Sequence, residues 1–354
     1  MKKISYLLSL ALIALCASCG EEDNSVNQEV KPVSKTEDFV KAVAKGGVIT
    51  LAPGAEIELD EALVITQPVI IIGDESEPAE IDFESNGIIT SAPVSFTNVS
   101  IDAEDVTTPL IKLAEVSLAD GEAAEIDVIQ FTNCYIEELS QQLINANKQN
   151  YLVGAVIVDN SIIEIKGAKK KTIFDFNGGG NTENLYIKNS TIYADATTEW
   201  QNGGFFSSQS SKEVTDLGGE ATITDIEDCT FYNITMGKTT NTLRKNNQAY
   251  QRYTILNNII VNCGKKGQFL AGLAGGNLNK KENWTAQNNI INWIEDGNVE
   301  DLSGAENSKA GLRDQEKNIP DPCWEFRITT FGDIESGDFS QSTTTIGDPR
   351  WVKK

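Results

Sequence analysis

Residues 185–194, Leu185-Tyr-Ile-Lys-Asn-Ser-Thr-Ile-Tyr-Ala194, recur in loosely altered copies along the chain. Each copy centres on asparagine, or once on aspartate, and the central positions are 98, 133, 160, 189, 228, 257 and 288. Successive centres lie 35, 27, 29, 39, 29 and 31 residues apart. Periods of this length are typical of repeat proteins, in which each unit stacks on the one before it. The content of the repeated unit therefore decides the architecture.

Apolar residues flank the central asparagine at two fixed distances. Two residues before it stand Phe96, Phe131, Val158, Ile187, Ile226, Ile255 and Ala286. Three residues after it stand Ile101, Ile136, Ile163, Ile192, Phe231, Ile260 and Ile291. Side chains alternate across a strand, so positions an odd number apart cannot both face inward from one continuous strand. A corner must separate them, and asparagine tolerates the left-handed backbone that a tight corner needs.

The unit is thus a strand, an asparagine corner, a second strand and a longer return segment. Stacked units of this kind form an all-β fold, the single-stranded right-handed parallel β-helix, with asparagines aligned along one edge. Helical repeats would need a 3.6-residue period, and a propeller blade would need about 40 residues in four strands. Cys134 and Cys229 occupy the same place in units three apart, about 14 Å from each other, so we expect no disulfide between them.

The N-terminus predicts export. Lys2 and Lys3 precede a short apolar run and the sequence Cys-Ala-Ser-Cys at residues 16–19, which is typical of a signal peptide. A cysteine directly after small residues resembles the lipobox of bacterial lipoproteins, which implies that residues 1–18 are removed and Cys19 is lipidated. The acidic stretch that follows is similar to the tag that sends Bacteroidetes lipoproteins to the outer surface. The resemblance implies an outer-membrane lipoprotein, exposed on the cell and held by lipid at Cys19.

The remaining chain divides into four predicted parts. Residues 19–35 are a flexible linker, residues 36–294 the β-helix, residues 295–322 a polar loop excursion, and residues 323–354 a closing segment of the β-helix. The β-helix begins with a short capping helix that covers the open edge of the first strands. We expect Thr36 to be its N-cap, with inward residues Phe39, Val40 and Val43 and a glycine stop.

Two further stretches resemble a known family. The N-terminal sequences ITLAPG from Ile49 and LVITQPVIIIGD from Leu63 resemble the first turns of pectate-lyase-like, or pectin-lyase-like, β-helix proteins. The C-terminal Gly337-Asp-Phe-Ser340 and Gly347-Asp-Pro-Arg-Trp351 resemble the end of uncharacterised Bacteroidetes β-helix lipoproteins, which are often encoded in polysaccharide utilisation loci. This resemblance implies a fold and a setting rather than a particular activity.

Charge is unevenly distributed along the chain. Residues 20–140 carry 26 acidic side chains against 5 lysines, a net charge of −21, whereas residues 235–283 carry a net charge of +7. Together with nearby aromatic residues, this basic segment is a candidate groove for an anionic glycan, with cations that bind carboxylates and aromatic faces that carry sugar rings. The predicted substrate-binding residues are Lys238, Arg244, Lys245, Tyr250, Arg252, Lys265, Lys266 and Trp284, and Tyr253 and Trp293 lie in the same part of the chain. The three lysines stand eight to ten residues past their central positions, which predicts that they lie close together, with Arg244 and Arg252 in the loop that connects them.

The absence of histidine excludes Ser-His-Asp triads, Cys-His pairs and histidine-ligated metals. Three functions stay open: non-catalytic polysaccharide binding or presentation, a lyase that acts on a uronate-containing glycan, and a structural or adhesin role. A lyase would draw its base and its cation from Lys238, Arg244 and Arg252. Calcium is a possible cofactor at Asp175 and Asn177 with residues 178–180 and Asn181, or at Asp225, Glu227 and Asp228. The formal charge of −23 argues against nucleic acid as a partner. The oligomeric state is left open.

Overall fold

A computed structural model describes residues 31–119, 122–166, 171–194, 203–208, 212–220, 222–235, 244–245, 251–264, 284–295, 298–299, 324–325, 331–332, 338–340 and 345–352. The chain from residue 32 onward forms one compact unit. The predicted signal peptide, Cys19 and most of the 295–322 excursion lie outside the described residues. None of the helices within the described ranges is long and apolar enough to cross a membrane.

Three all-parallel sheets run the length of this unit, which confirms the parallel β-helix with an N-terminal helix. The first sheet contains, in spatial order, β1 (Gly47–Thr50), β4 (Val69–Ile72), β7 (Val94–Thr97), β10 (Ala124–Thr132), β13 (Tyr151–Asp159), β16 (Asn181–Lys188), β19 (Thr222–Glu227), β22 (Gln251–Leu256) and β24 (Trp284–Gln287). The second contains β2 (Glu56–Leu59), β5 (Ala79–Phe83), β8 (Val99–Asp102), β11 (Tyr135–Leu139), β14 (Ile162–Ile165), β17 (Thr191–Ala194), β20 (Thr230–Tyr232), β23 (Ile259–Val261), β25 (Asn289–Asn292) and β28 (Trp324–Glu325).

The third sheet contains β3 (Leu63–Ile65), β6 (Ile88–Thr90), β9 (Ile111–Leu113), β12 (Ile144–Asn145), β15 (Phe174–Asp175), β18 (Phe206–Ser207) and β21 (Arg244–Lys245). One rung is thus a strand in each sheet, and rung 1 comprises β1, β2 and β3. The third sheet accounts for the predicted return segment. Two short elements lie outside the sheets: a 3-10 helix at Val214–Leu217 and an antiparallel pair, β26 (Ile294–Glu295) with β27 (Asn298–Val299).

The predicted corner separates the first sheet from the second. All seven central residues adopt left-handed backbone, with φ between 48° and 55° for residues 98, 133, 160, 189, 228 and 288 and 56° for Asn257. Their side chains form a ladder: the Asn133 amide donates to Asn98 Oδ1 at 2.7 Å, and Asn160 donates to Asn133 Oδ1 at 3.0 Å. The pattern changes at Asn189, which donates to Asp159 Oδ1 instead, and resumes where Asn257 donates to Asp228 Oδ1.

The core contains the two predicted apolar columns together with inward residues of the third sheet, such as Ile65, Ile88 and Leu113. Every residue of the two columns except Ala286, whose side chain is not described, is essentially inaccessible to solvent. Phe96 and Phe131 stack with ring centroids 5.5 Å apart. Cys134, Cys229 and Cys263 are buried, free thiols, as predicted for the first two; Cys323 lies outside the described residues.

The N-terminal edge differs from the prediction in detail. Helix α1 spans Thr36–Lys45, so Lys35 rather than Thr36 is its N-cap, and Lys35 makes no side-chain capping bond. Phe39 and Val43 are buried, but Val40 is 42% exposed, and its predicted inward position is wrong. The helix stops at Gly46, with φ of 77°. Residues before the helix also join the fold, because Val33 pairs in parallel with Leu51 at the free edge of β1.

Candidate functional site

The described basic residues of the predicted site lie in strands of two different sheets. Arg244 and Lys245 form β21 of the third sheet, and Arg252 lies in β22 of the first sheet, so neither arginine is in a connecting loop as the sequence suggested. Arg244 and Lys245 precede the connection from the third sheet to the first, and Arg252 follows it. Tyr250 belongs to this connection in the sequence and lies outside the described residues. Lys238, Lys265 and Lys266, in other parts of the chain, lie outside them too.

The three lysines follow a different turn. Lys238 comes after β20, and Lys265 and Lys266 come after β23, at equivalent exits from the second sheet. Those exits are stacked by a second asparagine pair: Asn233 and Asn262 are both left-handed, and the Asn262 amide donates to Asn233 Oδ1 at 3.2 Å. Lys238, Lys265 and Lys266 themselves lie outside the described residues, so one patch that unites them with Arg252 stays a prediction.

Arg252 belongs instead to a polar region on the outer face of the first sheet. Its side chain is exposed, in register with Ile223 on β19, which is in register with Asn184 on β16. Two residues further along these strands, Tyr186, Asp225 and Thr254 form the next outward row, followed by the row of Lys188, Glu227 and Leu256. Neighbouring strands are about 4.8 Å apart, so these rows form one continuous surface on rungs 6 to 8. We call it the first-sheet face.

Hydrogen bonds fix the orientation of several side chains on this face. The Tyr186 hydroxyl donates to Asn184 Oδ1 at 2.9 Å, and the Asn184 amide donates to the Gly154 carbonyl at 2.7 Å. Lys188 Nζ lies 3.1 Å from Glu227 Oε1, and both side chains are mostly buried. The Tyr186 side chain is therefore held in place on the face that also carries the Lys188–Glu227 ion pair and the exposed Arg252.

Asp225 lies at the centre of the first-sheet face. Desolvation by its neighbours raises the pKa of the Asp225 carboxyl above its usual range, while a hydrogen bond from Thr254 and the charge of Lys188 partly offset this rise. Arg252 acts in the same direction as Lys188. A partly desolvated carboxyl beside cationic and aromatic side chains can accept hydroxyl hydrogens or exchange a proton.

Two of the aromatic residues considered for sugar stacking do not lie on the surface. Tyr253 and Trp293 are 3% and 7% exposed, and both pack in the main hydrophobic core. They occupy inward strand and corner positions, which sequence proximity to the basic segment did not reveal. Trp284 lies at the start of β24, in register with Tyr253, and its side chain is outside the described residues. Tyr186 is the aromatic residue that sequence reasoning missed.

A second polar surface, which was not predicted, covers the outer face of the second sheet at rungs 1 to 4. Its carboxylates follow one register line: Glu58, Asp82, Asp102 and Glu137. Burial raises the pKa of Asp82 to about 6, and the neighbouring charges of Asp102, Glu84, Glu80 and Glu58 add to the effect. Burial also raises the pKa of Glu137, whose Oε1 accepts a 3.0 Å hydrogen bond from Ser100. The alternation of acidic residues with isoleucine in β2, β5 and β8 is the sequence feature that indicates this column.

The calcium candidates are turn and corner residues in the structure. Asp175 Oδ1 accepts the backbone N–H of Asn177 at 3.1 Å, and its Oδ2 accepts the Asn145 amide at 3.3 Å. Asp228 is a left-handed corner residue, and Glu227 pairs with Lys188. Across the described parts of the chain, no group of three or more carboxylates or thiols is placed to hold a metal ion.

The fold and these faces define the protein as a parallel β-helix with polar outer sheet faces. Residues 55–195 match a family model described as a domain of unknown function, DUF4957. The match begins next to β2 and ends after β17, so it includes Tyr186 and Lys188 but not Arg244 or Arg252. A search of curated proteins found no match to the chain.

Proposed function

We propose that this protein is a pectate-lyase-like β-helix lipoprotein of the bacterial outer membrane that binds polysaccharide at the cell surface without cleaving it. Lipid at Cys19 would hold the chain to the membrane, and the β-helix would present the glycan. The proposal places binding on the first-sheet face. Lys238, Lys265 and Lys266, which the sequence assigns to the same site, would add further cations to the contact.

The observation that carries this proposal is the joint presence of Tyr186, Asp225 and Arg252 on the outer face of three adjacent strands in register. A sugar ring offers an apolar face to an aromatic side chain and hydroxyl groups to carboxylates and amides. An exposed arginine adds a bidentate site for a sugar carboxylate. Because equivalent positions repeat every rung, such a surface suits an extended polymer better than a small molecule.

A second candidate is a lyase acting on a uronate-containing polymer. The raised pKa of Asp225 and the cationic charge of Arg252 favour it, because a lyase needs a proton acceptor and a cation that neutralises the substrate carboxylate. A structural or adhesin role, in which no sugar is bound, is the third possibility.

Affinity electrophoresis on pectins, alginates and glycosaminoglycans tests binding, with and without calcium. We expect retardation by at least one acidic glycan. Tyr186→Ala and Arg252→Gln should each reduce it roughly tenfold, since each removes a stacking contact or a charged hydrogen bond. Lys41→Gln is the matched control, because Lys41 is an exposed cation on α1, far along the chain from the first-sheet face.

The ultraviolet absorbance of unsaturated uronate products separates the lyase from the binding protein. Absorbance that grows with time and disappears in Asp225→Asn would establish cleavage and refute the non-catalytic proposal. If none of the glycans binds and no product forms, or if Lys41→Gln weakens binding as much as Arg252→Gln does, the first-sheet face is not a glycan site.

A further inference from the structure

The outer face of the second sheet changes character along the solenoid. At rungs 1 to 4 it carries carboxylates, but from rung 6 the same register line continues with Tyr193, Tyr232 and Val261, all buried. A C-terminal segment covers them. The Phe339 ring, fully buried, lies 4.9 Å from Tyr193 and 5.9 Å from Tyr232 between centroids. Trp351 packs 6.0 Å from Phe339.

A buried ion pair lies at the centre of this contact. Asp348 is completely buried, and its Oδ2 accepts a hydrogen bond from Thr191 Oγ1 at 2.6 Å while it pairs with Arg350. Its backbone N–H donates to Thr230 Oγ1 at 3.2 Å. Thr191 also accepts the Trp351 indole N–H at 2.7 Å. A buried carboxylate is strongly unfavourable without its partner, so docking of the segment depends on Arg350.

Arg350 also contacts the backbone of the asparagine corner. Its guanidinium donates to the carbonyl oxygens of Ser161 at 2.7 Å, Asn160 at 3.2 Å and Asn189 at 3.2 Å. Gly347, with φ of 94°, donates its N–H to the Asn257 carbonyl at 2.8 Å. Residues 347–350 thus bind the corner at rungs 5, 6 and 8, and they do so where the amide ladder changes its pattern at Asn189.

We propose that residues 345–352, which we call the corner lock, stabilise the asparagine corner of rungs 5 to 8 and keep the outer face of the second sheet covered at these rungs. In a repeat protein each unit ordinarily contacts only its neighbours. The corner lock instead joins Thr191 to Asp348, 157 residues later. Rungs 5 to 8 therefore reach their full stability only when residues 345–352 have docked. Among the described residues, the hydrogen bonds of the lock reach rungs 5 to 8 and none of rungs 1 to 4, so the stability of rungs 1 to 4 should not depend on it.

The corner lock stays docked in the folded protein and does not open to admit a ligand. Release would uncover part of the apolar row of Tyr193, Tyr232 and Val261, against which Ile346 and Trp351 pack. It would also break the hydrogen bonds that join Asp348 to Thr191 and Thr230. Both effects oppose opening. The second-sheet face at rungs 6 to 8 is consequently closed to ligands, whatever binds to the first sheet.

Hydrogen exchange of the folded full-length protein, followed by mass spectrometry, tests the corner lock. Arg350→Gln should speed exchange roughly tenfold to hundredfold in residues 189–194 and 230–232, because several hydrogen bonds to a charged group are lost. Residues 56–59 and 79–83 of rungs 1 and 2 should exchange as in the wild type. Arg252→Gln, which removes an exposed arginine from another sheet, should leave all four segments unchanged.

Two further variants keep the test decisive. Arg350→Lys retains the charge but not the forked donors, so it should give a smaller increase in the same two segments. Asp348→Asn combined with Arg350→Gln should recover part of the protection, because no unpaired charge stays buried. Unchanged exchange in Arg350→Gln, an equal increase over the whole chain, or a double variant less protected than Arg350→Gln alone would each overturn the proposal.

Discussion

Replacing Asp82 by asparagine should stabilise the protein at neutral pH and leave its stability unchanged in acid. Asp82 lies in the column of carboxylates on the second sheet, between Glu58 and Asp102. Burial and these like charges raise the pKa of Asp82 from 3.8 to about 6 in the folded state. The folded protein therefore binds this proton more tightly than the unfolded chain does, and the resulting stabilisation is complete below about pH 4 and lost as the pH rises through 6.

The size of the effect follows from the shift. A difference of about 2 pKa units corresponds to about 3 kcal/mol at 1.36 kcal/mol per unit. Solvent screens a partly exposed side chain, so the expected gain in the free energy of unfolding is about 1–2 kcal/mol at pH 7. At about pH 4 the protonated carboxyl and the amide have nearly equal shape and charge, and the gain should vanish.

Urea unfolding of the wild type and Asp82→Asn, followed by far-ultraviolet circular dichroism at about pH 4 and about pH 7, measures the difference. Asp60→Asn is the control, because Asp60 is an exposed carboxylate in the turn between β2 and β3. A gain that is equal at both pH values, or a loss of stability at pH 7, would refute the assigned proton linkage.

Three more predictions concern the corner and the core. Asp228→Asn should raise the free energy of unfolding by about 1 kcal/mol in urea titrations, since an amide at this corner can donate along the ladder as other corner asparagines do; no change or a loss would contradict this. Phe131→Ala should cost about 3–5 kcal/mol, as the ring is fully buried against Phe96, whereas Val64→Ala, at a 54% exposed residue, should cost under 1 kcal/mol; equal losses would contradict the assigned packing. Burial raises the pKa of the Cys134 thiol to about 12 and also raises the pKa values of Cys229 and Cys263. Iodoacetamide should therefore modify these three thiols only in denaturant, and modification of any of them in peptide maps of the native protein would contradict this.

The repeat predicted the corner because its physical requirement is local. A left-handed corner between two inward positions of opposite phase favours asparagine or aspartate at the same place in every copy, and the structure places all seven of these residues at the same corner. The strands of the third sheet have no comparable sequence pattern. Those at rungs 4 to 7 have only two residues each, which is too short for an alternating pattern.

The site was less predictable than the fold. Tyr186 and Arg252 lie 66 positions apart in the sequence and share a face only because β16, β19 and β22 are in register. Sequence spacing predicted Arg244 and Arg252 in one connecting loop, but they lie in strands of two different sheets, because the path of the chain between sheets sets where each cation lies. The corner lock depends on contacts across more than 150 residues, for which no local pattern exists.

The pairing of Val33 with Leu51, together with α1 above the first rung, has a consequence for assembly. Stacked parallel strands end in a row of unsatisfied backbone groups, to which another copy of the same chain could add. Here Val33 donates its N–H to the Thr50 carbonyl and accepts the N–H of Ala52, and α1 packs against β1, β2 and β3. These contacts oppose growth of one molecule onto the next into a filament from this end.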